Sequence, residues 1–410
     1  MSLKARLDLL RRQSGSTADA AEPTPTPGGE IAERLRRLGA DGRRSRPSRA
    51  KGDPAVLAAA MDGEFIADGV MLIQRMLPLT HRHGRIRLAD VASAPAELPM
   101  PGAATGGDMM FLDTETTGLA GGTGTAVFMV GAARICGAQL TVRQYLLTAF
   151  SGEAAMLEHL RGWIGDAATL VTYNGKSFDL PLLRDRYRLS GFRDRFAPDA
   201  HLDLLHPVRR LFDRRWPDCR LVSVEERLLG YRRENDMPGS QAPLAWFDFI
   251  HRGDGGRLPR VAEHNLWDLV SLAALLPALA EAFRRPGAFT ACPYGAARAW
   301  LAAGDEDRAL EVLSADPRAL DERSALELAR LYRRQRQWHE AVAIWEGLAA
   351  GGSHAAAEEL AKYHEHERRD WRTALRYASR LPDSGAATRR RERLGRKIEA
   401  SGAPDQLDLN

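Results

Sequence analysis

Three short stretches of this chain carry carboxylates at spacings that suit divalent-ion chemistry. The first is Phe111-Leu112-Asp113-Thr114-Glu115-Thr116-Thr117-Gly118. An apolar run ending in acids predicts a strand. On a strand residues i and i+2 face the same side, so Asp113 and Glu115 project together. Two adjacent carboxylates repel by ~4 kcal/mol at an effective dielectric of about 20, a cost that a bound dication removes. The glycine-rich GLAGGTGT that follows lacks the Gly-Lys-Ser/Thr ending of a phosphate-cradling loop and reads as a strand connection.

The second stretch, Tyr173-Asn174-Gly175-Lys176-Ser177-Phe178-Asp179, follows a short apolar strand and leads into a helix. Asp179 is a third carboxylate, at a helix start where its charge suits the macrodipole. Asn174 can hydrogen-bond a backbone or substrate oxygen. Phe178 is either a core residue, the default for a phenylalanine, or a surface on which a base stacks. The third stretch, Glu263-His264-Asn265-Leu266-Trp267-Asp268, opens an apolar helix and places His264 and Asp268 one turn apart on one face. His264 alone could be a structural partner of Asp268; its place behind two carboxylate motifs points to chemistry.

The elements that must position these groups read as β-β-β-α-β-α. DMMFLDTE, AVFMVGAARI and LTVRQYLL are strands joined by short turns; EAAMLEHLRGWI is a helical crossover, TLVTY a further strand and DLPLLRDRYRLSG a second helix. A mixed sheet with helices on its faces, an α/β architecture, is the expected packing solution. Within HLDLLHPVRRLF, from His201 to Phe212, DLLHPVRRL reads as an amphipathic helix. His201, Asp203 and His206 could hold a transition metal but lack an evident fourth ligand, and Arg209 and Arg210 could meet phosphates. RENDMPGS, Arg233 to Ser240, is a polar loop that could shape a substrate cleft, although its residues specify no chemistry.

The 410 residues predict two or three folded units, with 44% hydrophobic and 27% charged residues describing an ordinary globular chain. Apolar runs such as Leu269 to Ala280 fall short of the ~20 residues that cross a bilayer. The opening MSLKARLDLLRRQSG lacks the apolar stretch of a signal peptide, and Cys136, Cys219 and Cys292 are too few and too scattered for a disulfide framework, so a reducing cytoplasm is expected. The net charge of +4 leans mildly towards polyanionic partners. Of 58 basic residues only Lys4, Lys51, Lys176, Lys362 and Lys397 are lysine, a bias that a GC-rich genome produces without any nucleic-acid role.

Residues 1–55 combine an amphipathic LKARLDLLRR, a Pro/Thr-rich piece and a basic run from Arg34 to Lys51. They are expected to form a disordered arm, serving as a solvated tail or as a tether along a phosphate backbone. Residues 56–290 form the sheet-containing domain. From 291 to 398 three helix pairs repeat at a period near 34: Trp338 and Trp371 are 33 apart, as are Ala341 and Ala374, and Ala309 lies 32 before Ala341. That self-similarity resembles tetratricopeptide repeats, an all-α solenoid that must stack its units to cover their apolar faces. Residues 399–410 are a tail.

Asp-x-Glu on a first strand, then Asn-x-x-x-Phe-Asp, then a His upstream of Asp, resembles the ordered motif set of the DEDD exonuclease superfamily on the RNase H-like fold. DTETTG is similar to the first motif of proofreading exonucleases, and YNGKSFD to the second motif of family B polymerase proofreading domains. The third motif departs: the superfamily places Tyr four residues or His five residues before the Asp, whereas His264 stands four before Asp268. With helical repeats behind, residues 60 to 285 look most like the YprB-type exonucleases. The resemblance implies a 3′→5′ exonuclease in which Asp113, Glu115, Asp179 and Asp268 bind two Mg²⁺ or Mn²⁺ ions and His264 accepts the proton of the attacking water. It further implies that Thr116, Leu119, Asn174 and Phe178 hold the terminal nucleotide of a single-stranded DNA or RNA 3′ end. A second class of function is a catalytically inactive nucleic-acid-binding adaptor whose repeats recruit protein partners. Nothing in the motifs declares DNA over RNA.

Overall fold

The computed structural model describes residues 54–94, 98–99, 109–118, 124–165, 169–192 and 200–401. The basic arm up to residue 53, Leu119 with most of the glycine-rich connection, and the tail beyond residue 401 lie outside them. A helix α1 (Pro54–Met61) precedes strands β1 (Gly63–Ala67) and β2 (Val70–Pro78), and a two-stranded hairpin, β3 (Arg82–His83) and β4 (Ile86–Arg87), stands apart from the main sheet. Strands β5 (Met109–Thr116), β6 (Val127–Cys136) and β7 (Gln139–Leu147) meander. Helix α2 (Glu153–Ile164) crosses to β8 (Thr169–Thr172), and α3 (Asp179–Leu189) leads to β9 (Ala200–Asp203).

The seven-stranded sheet has the order β1-β2-β7-β6-β5-β8-β9. It is antiparallel from β1 to β5 and parallel from β5 through β8 to β9. The mixed sheet is the one the sequence predicts. Two parts of it differ from expectation. Strands β1 and β2 extend the antiparallel side. Strand β9 pairs with β8 just before the predicted amphipathic helix, which forms as α4 (Leu205–Phe212). Four residues are too few to show a strand's period, so β9 leaves no pattern in the sequence.

Short α5 (Leu221–Val224) runs into a π-helical turn, Glu225–Leu229; α6 (Ala242–Arg252) and the long α7 (Leu258–Arg284) follow. Strand β5 lies in the middle of this arrangement, so Met110, Phe111 and Leu112 are fully buried on alternate faces. Met110 and Leu112 join the core beneath α2, α3 and α6, and Phe111 joins the core beneath α4 and α7. Length and hydropathy alone would let α7 cross a membrane, but 78% of its most apolar stretch is buried within the protein, which makes it a core helix.

Helix α7 reaches the sheet at Gly131. This residue pairs with Asp113 on the neighbouring strand, and a Cβ built there would lie 2.1 Å from Asn265 Oδ1 and 2.6 Å from Leu269. Only glycine admits the helix at that depth. Gln144 on β7 completes the anchorage, donating to the Ala262 carbonyl at 2.7 Å and to Asn265 Oδ1 at 2.9 Å.

The remaining chain is helical: α8 (Pro293–Ala302), α9 (Glu306–Ser314), α10 (Glu322–Arg334), α11 (Trp338–Ala350), α12 (His354–His366), α13 (Trp371–Ala378) and α14 (Gly385–Ala400). Asp305, Asp321, Ser353, Asp370 and Ser384 cap α9, α10, α12, α13 and α14, each accepting an otherwise unpaired backbone N–H in the first turn. The repeating alanines Ala309, Ala341 and Ala374 are all completely buried, where small side chains let paired helices approach. Helix α8 is seated on α4 and α7. Cys292 N–H donates to the Leu211 carbonyl at 2.8 Å and Trp300 Nε1 to the Phe283 carbonyl at 3.2 Å, and the core beneath α7 continues through Ala296 and Trp300 to Leu328.

Candidate active site

The C-terminal end of β5 carries Asp113 and Glu115 beneath α7, and Thr114 between them faces the other way. Asn265 Nδ2 donates to Asp113 Oδ2 at 2.7 Å. Thr114 Oγ1 donates to Asp179 Oδ1, joining β5 to the first residue of α3. Glu115, Asp179 and Asp268 are each only 8% exposed, so their charges require compensation. Donor atoms of Glu115, His264 and Asp268 lie within 4.8 Å of one another. Asp113 and Asp179 stand outside that grouping but act on it electrostatically.

Burial raises three of the carboxylates. Burial pushes Asp113 well above the usual carboxylate range, with Asp268, Asp179 and Glu115 adding to the shift and the Asn265 hydrogen bond opposing it. Burial takes Glu115 up to about 8 against the pull of His264, with Asp268 and Asp179 contributing. Burial takes Asp179 up to about 6, against the Thr114 hydrogen bond. For His264 burial lowers the pKa, but the hydrogen bond it donates to Asp236 and the charges of Asp268 and Glu115 outweigh it and raise the imidazole to about 9. A partly buried group of carboxylates gathered beside an imidazole is the oxygen-rich donor set that a hard divalent ion fits.

The loop read from sequence as chemically silent supplies two of the residues in contact with this cluster. Arg233 has a side chain only 2% exposed and is gripped by Glu225, its Nε donating to Oε2 at 2.8 Å and its Nη2 to Oε1 at 2.5 Å. Nη2 also donates to Asp268 Oδ1, and Nη1 to Asp236 Oδ2 at 3.2 Å. Asp236 Oδ1 accepts from His264 Nδ1 at 2.7 Å, while His264 Nε2 lies 3.5 Å from Asp268 Oδ2. Glu225 sits in the π turn and faces Ser271, whose hydroxyl is 2.7 Å from His83 Nε2. Expectation missed Arg233, Asp236 and Glu225 because only the fold brings these residues to α7; the density of charge between two apolar helices was the one available signal.

The turn before Asp179 is also built from outside. Asp203 at the end of β9 accepts the backbone N–H groups of Asn174 at 2.7 Å, Lys176 at 3.1 Å and Leu205 at 3.1 Å. Asn174 has a left-handed φ of +66°, and a Cβ on Gly175 would lie 2.4 Å from Thr172 Oγ1. Asp203 is thus committed to backbone groups and His201 to Thr172 Oγ1 at 2.9 Å, so the separate transition-metal site weighed for His201, Asp203 and His206 does not form. Thr116 Oγ1 donates to the Gly118 carbonyl at 3.0 Å. Leu119 lies outside the described residues. Phe178, by default a core residue, is instead 37% exposed beside Asp179, because the turn directs Leu180 and Leu183 rather than Phe178 into the core.

Residues 110–280 match the RNase_H_2 family of the RNase_H superfamily, and with the mixed sheet and flanking helices they define an RNase H-like protein. The uncharacterized protein YprB of Bacillus subtilis (strain 168) is 34% identical over 337 residues, which cover 77% of this chain and 81% of YprB. The chain belongs to the YprB family. It is also similar to the family B DNA polymerase from the hyperthermophilic archaeon Pyrobaculum calidifontis, at 16% identity and a TM-score of 0.35 over 58% of this chain. The matched part spans 30% of the length of that polymerase.

Proposed function

We propose that this protein is a divalent-metal-dependent 3′→5′ exonuclease of the DEDD type. The observation that carries the reading is geometric: Asp113, Glu115, Asp179 and Asp268, drawn from three distant parts of the chain, gather at one end of the sheet, where Asn265, Thr114 and Arg233 tie Asp113, Asp179 and Asp268 in place. Its membership of an RNase H-like superfamily fits a nuclease. The four carboxylates would hold Mg²⁺ or Mn²⁺, which when bound lowers the pKa of water and stabilises charge on a departing oxygen. Asn265 and Thr114 orient Asp113 and Asp179 for that role, and Arg233 orients Asp268. Phe178, exposed beside Asp179, offers a ring on which the terminal base can stack, and Asn174 and Lys176 lie on the same turn.

The helix pairs from α8 to α13 resemble tetratricopeptide repeats and would supply a surface for a protein partner. A second reading, a non-catalytic nucleic-acid-binding adaptor, is favoured by one observation: the buried guanidinium of Arg233 already neutralises part of Asp268. Matched single-stranded DNA and RNA, each blocked at its 3′ or 5′ end, separate the readings. Degradation that needs Mg²⁺ or Mn²⁺, stops at a blocked 3′ end and disappears in Asp113→Ala supports the exonuclease. Binding without degradation of any strand supports the adaptor.

A further inference from the structure

The resemblance to DEDD exonucleases makes His264 a proton acceptor, yet its surroundings are those of a metal ligand. On α7 His264 and Asp268 are four residues apart on one face, the spacing at which two side chains of a helix close on a single ion. Asp236 Oδ1 is 2.7 Å from Nδ1, closer than Arg233 Nη1 at 3.3 Å, which keeps a ring proton on that nitrogen and leaves Nε2, on the opposite side, as the nitrogen that gives up its proton to an ion. There Nε2 lies 3.5 Å from Asp268 Oδ2, and both lie within 4.8 Å of a Glu115 oxygen. Two donors that share an ion at about 2.1 Å are separated by ~3.0–3.5 Å. Arg233, locked by Glu225, occupies Oδ1 of Asp268 and leaves Oδ2 as the oxygen that faces the imidazole. Gly239 borders the same space; a Cβ there would stand 3.6 Å from Nε2.

We infer that His264 Nε2 is an inner-sphere ligand of a divalent ion shared with Glu115 and Asp268, and that Asp236 is the positioning residue that fixes its ring. This rests on the reading of the acids as a metal site and changes the role of the histidine within it. A carboxylate that holds the far nitrogen of a metal-bound imidazole is the usual outer support of such ligands. One nitrogen among oxygen donors shifts preference from Mg²⁺ towards Mn²⁺ and other transition ions.

The test is pulsed electron paramagnetic resonance of Mn²⁺ bound to the full-length protein, which reads directly coordinated nitrogen without recourse to activity. The expected result is a ¹⁴N coupling that vanishes in His264→Gln while Mn²⁺ still binds. Asp236→Asn should weaken Mn²⁺ binding ~10–100-fold. Bound Mn²⁺ with no nitrogen coupling, or a coupling that persists in His264→Gln, overturns the inference and leaves the acidic site standing. Failure of the folded wild-type protein to bind Mn²⁺ at all overturns the metal-site reading itself, and the inference with it.

Discussion

Gly131 and Asn265 face each other across the junction of β6 and α7, so close that a methyl group on the glycine would lie 2.1 Å from the amide oxygen of the asparagine. The same asparagine donates to Asp113 at 2.7 Å, and it sits between His264 and Asp268. The depth at which α7 packs therefore sets the distance between the acids on β5 and those on the helix. Replacing Gly131 with alanine should cost about 1–3 kcal/mol through overpacking and lift α7 away from Asp113. Urea denaturation measures the first effect, and loss of Mn²⁺ affinity out of proportion to the stability loss reports the second.

Arg233 is buried among Glu225, Asp268 and Asp236, and removing one member of a buried ion network leaves charges that nothing neutralises. Arg233→Met is expected to destabilise the protein by about 3–5 kcal/mol, and Arg233→Lys to recover little of it because an ammonium cannot reproduce the two-pronged grip on Glu225. Chemical denaturation of the three proteins checks both statements. Equal stability of the lysine variant and the wild type would contradict the second.

Asp203 holds the turn that delivers Asp179. Its two oxygens accept three backbone N–H groups, so Asp203→Ala strands buried donors and should cost about 2–4 kcal/mol. With Asn174 released from its left-handed conformation, Asp179 loses its bearing on Thr114. Activity should fall further than the loss of folded protein accounts for, as measured at a temperature where the variant remains folded.

Stability in chelator should decline as pH rises from about 6.5 to 8, above the range in which the buried His83 and the half-buried His201, held down at about 3 and about 4, act in the opposite direction. Glu115 and Asp179 have folded-state pKa values of about 8 and about 6, above the ordinary carboxylate range, so the unfolded chain ionises them first and gains stability relative to the native state as pH climbs. His264, raised to about 9, acts in the same direction, since the stabilisation its proton brings is complete below the unfolded value and fades up to the folded one. Thermal denaturation in chelator at a series of pH values measures the slope. Added Mn²⁺ should raise the melting temperature more at pH 8 than at pH 5, because it binds the ionised acids; a flat profile in chelator would count against the acids being buried together.

The acids of the candidate site stand out in the sequence because each falls at a marked point of a periodic pattern: Asp113 and Glu115 at a strand end, Asp179 at a helix start, His264 and Asp268 on one face of a helix. Chain order then made the set specific. The groups that orient them were not legible in the same way. Arg233 and Asp236 occupy a loop without period, and an arginine or aspartate there has the same appearance whether it meets solvent or a buried carboxylate. Strand β2 did leave a trace, the apolar run Val70 to Ile73, whereas β1 and β9 are too short to alternate visibly. Phe178 shows the limit of residue type as a guide, since a phenylalanine in an irregular turn goes where the backbone sends it.

The central claim is that Asp113, Glu115, Asp179 and Asp268 act together on divalent metal. Calorimetric titration of Mn²⁺ into the wild-type protein and into four single variants, Asp113→Asn, Glu115→Gln, Asp179→Asn and Asp268→Asn, tests it most directly. Saturable binding that weakens in every one of the four is the predicted result. A wild-type protein that binds no ion, or a variant that is folded and binds as tightly as the wild type, would contradict it.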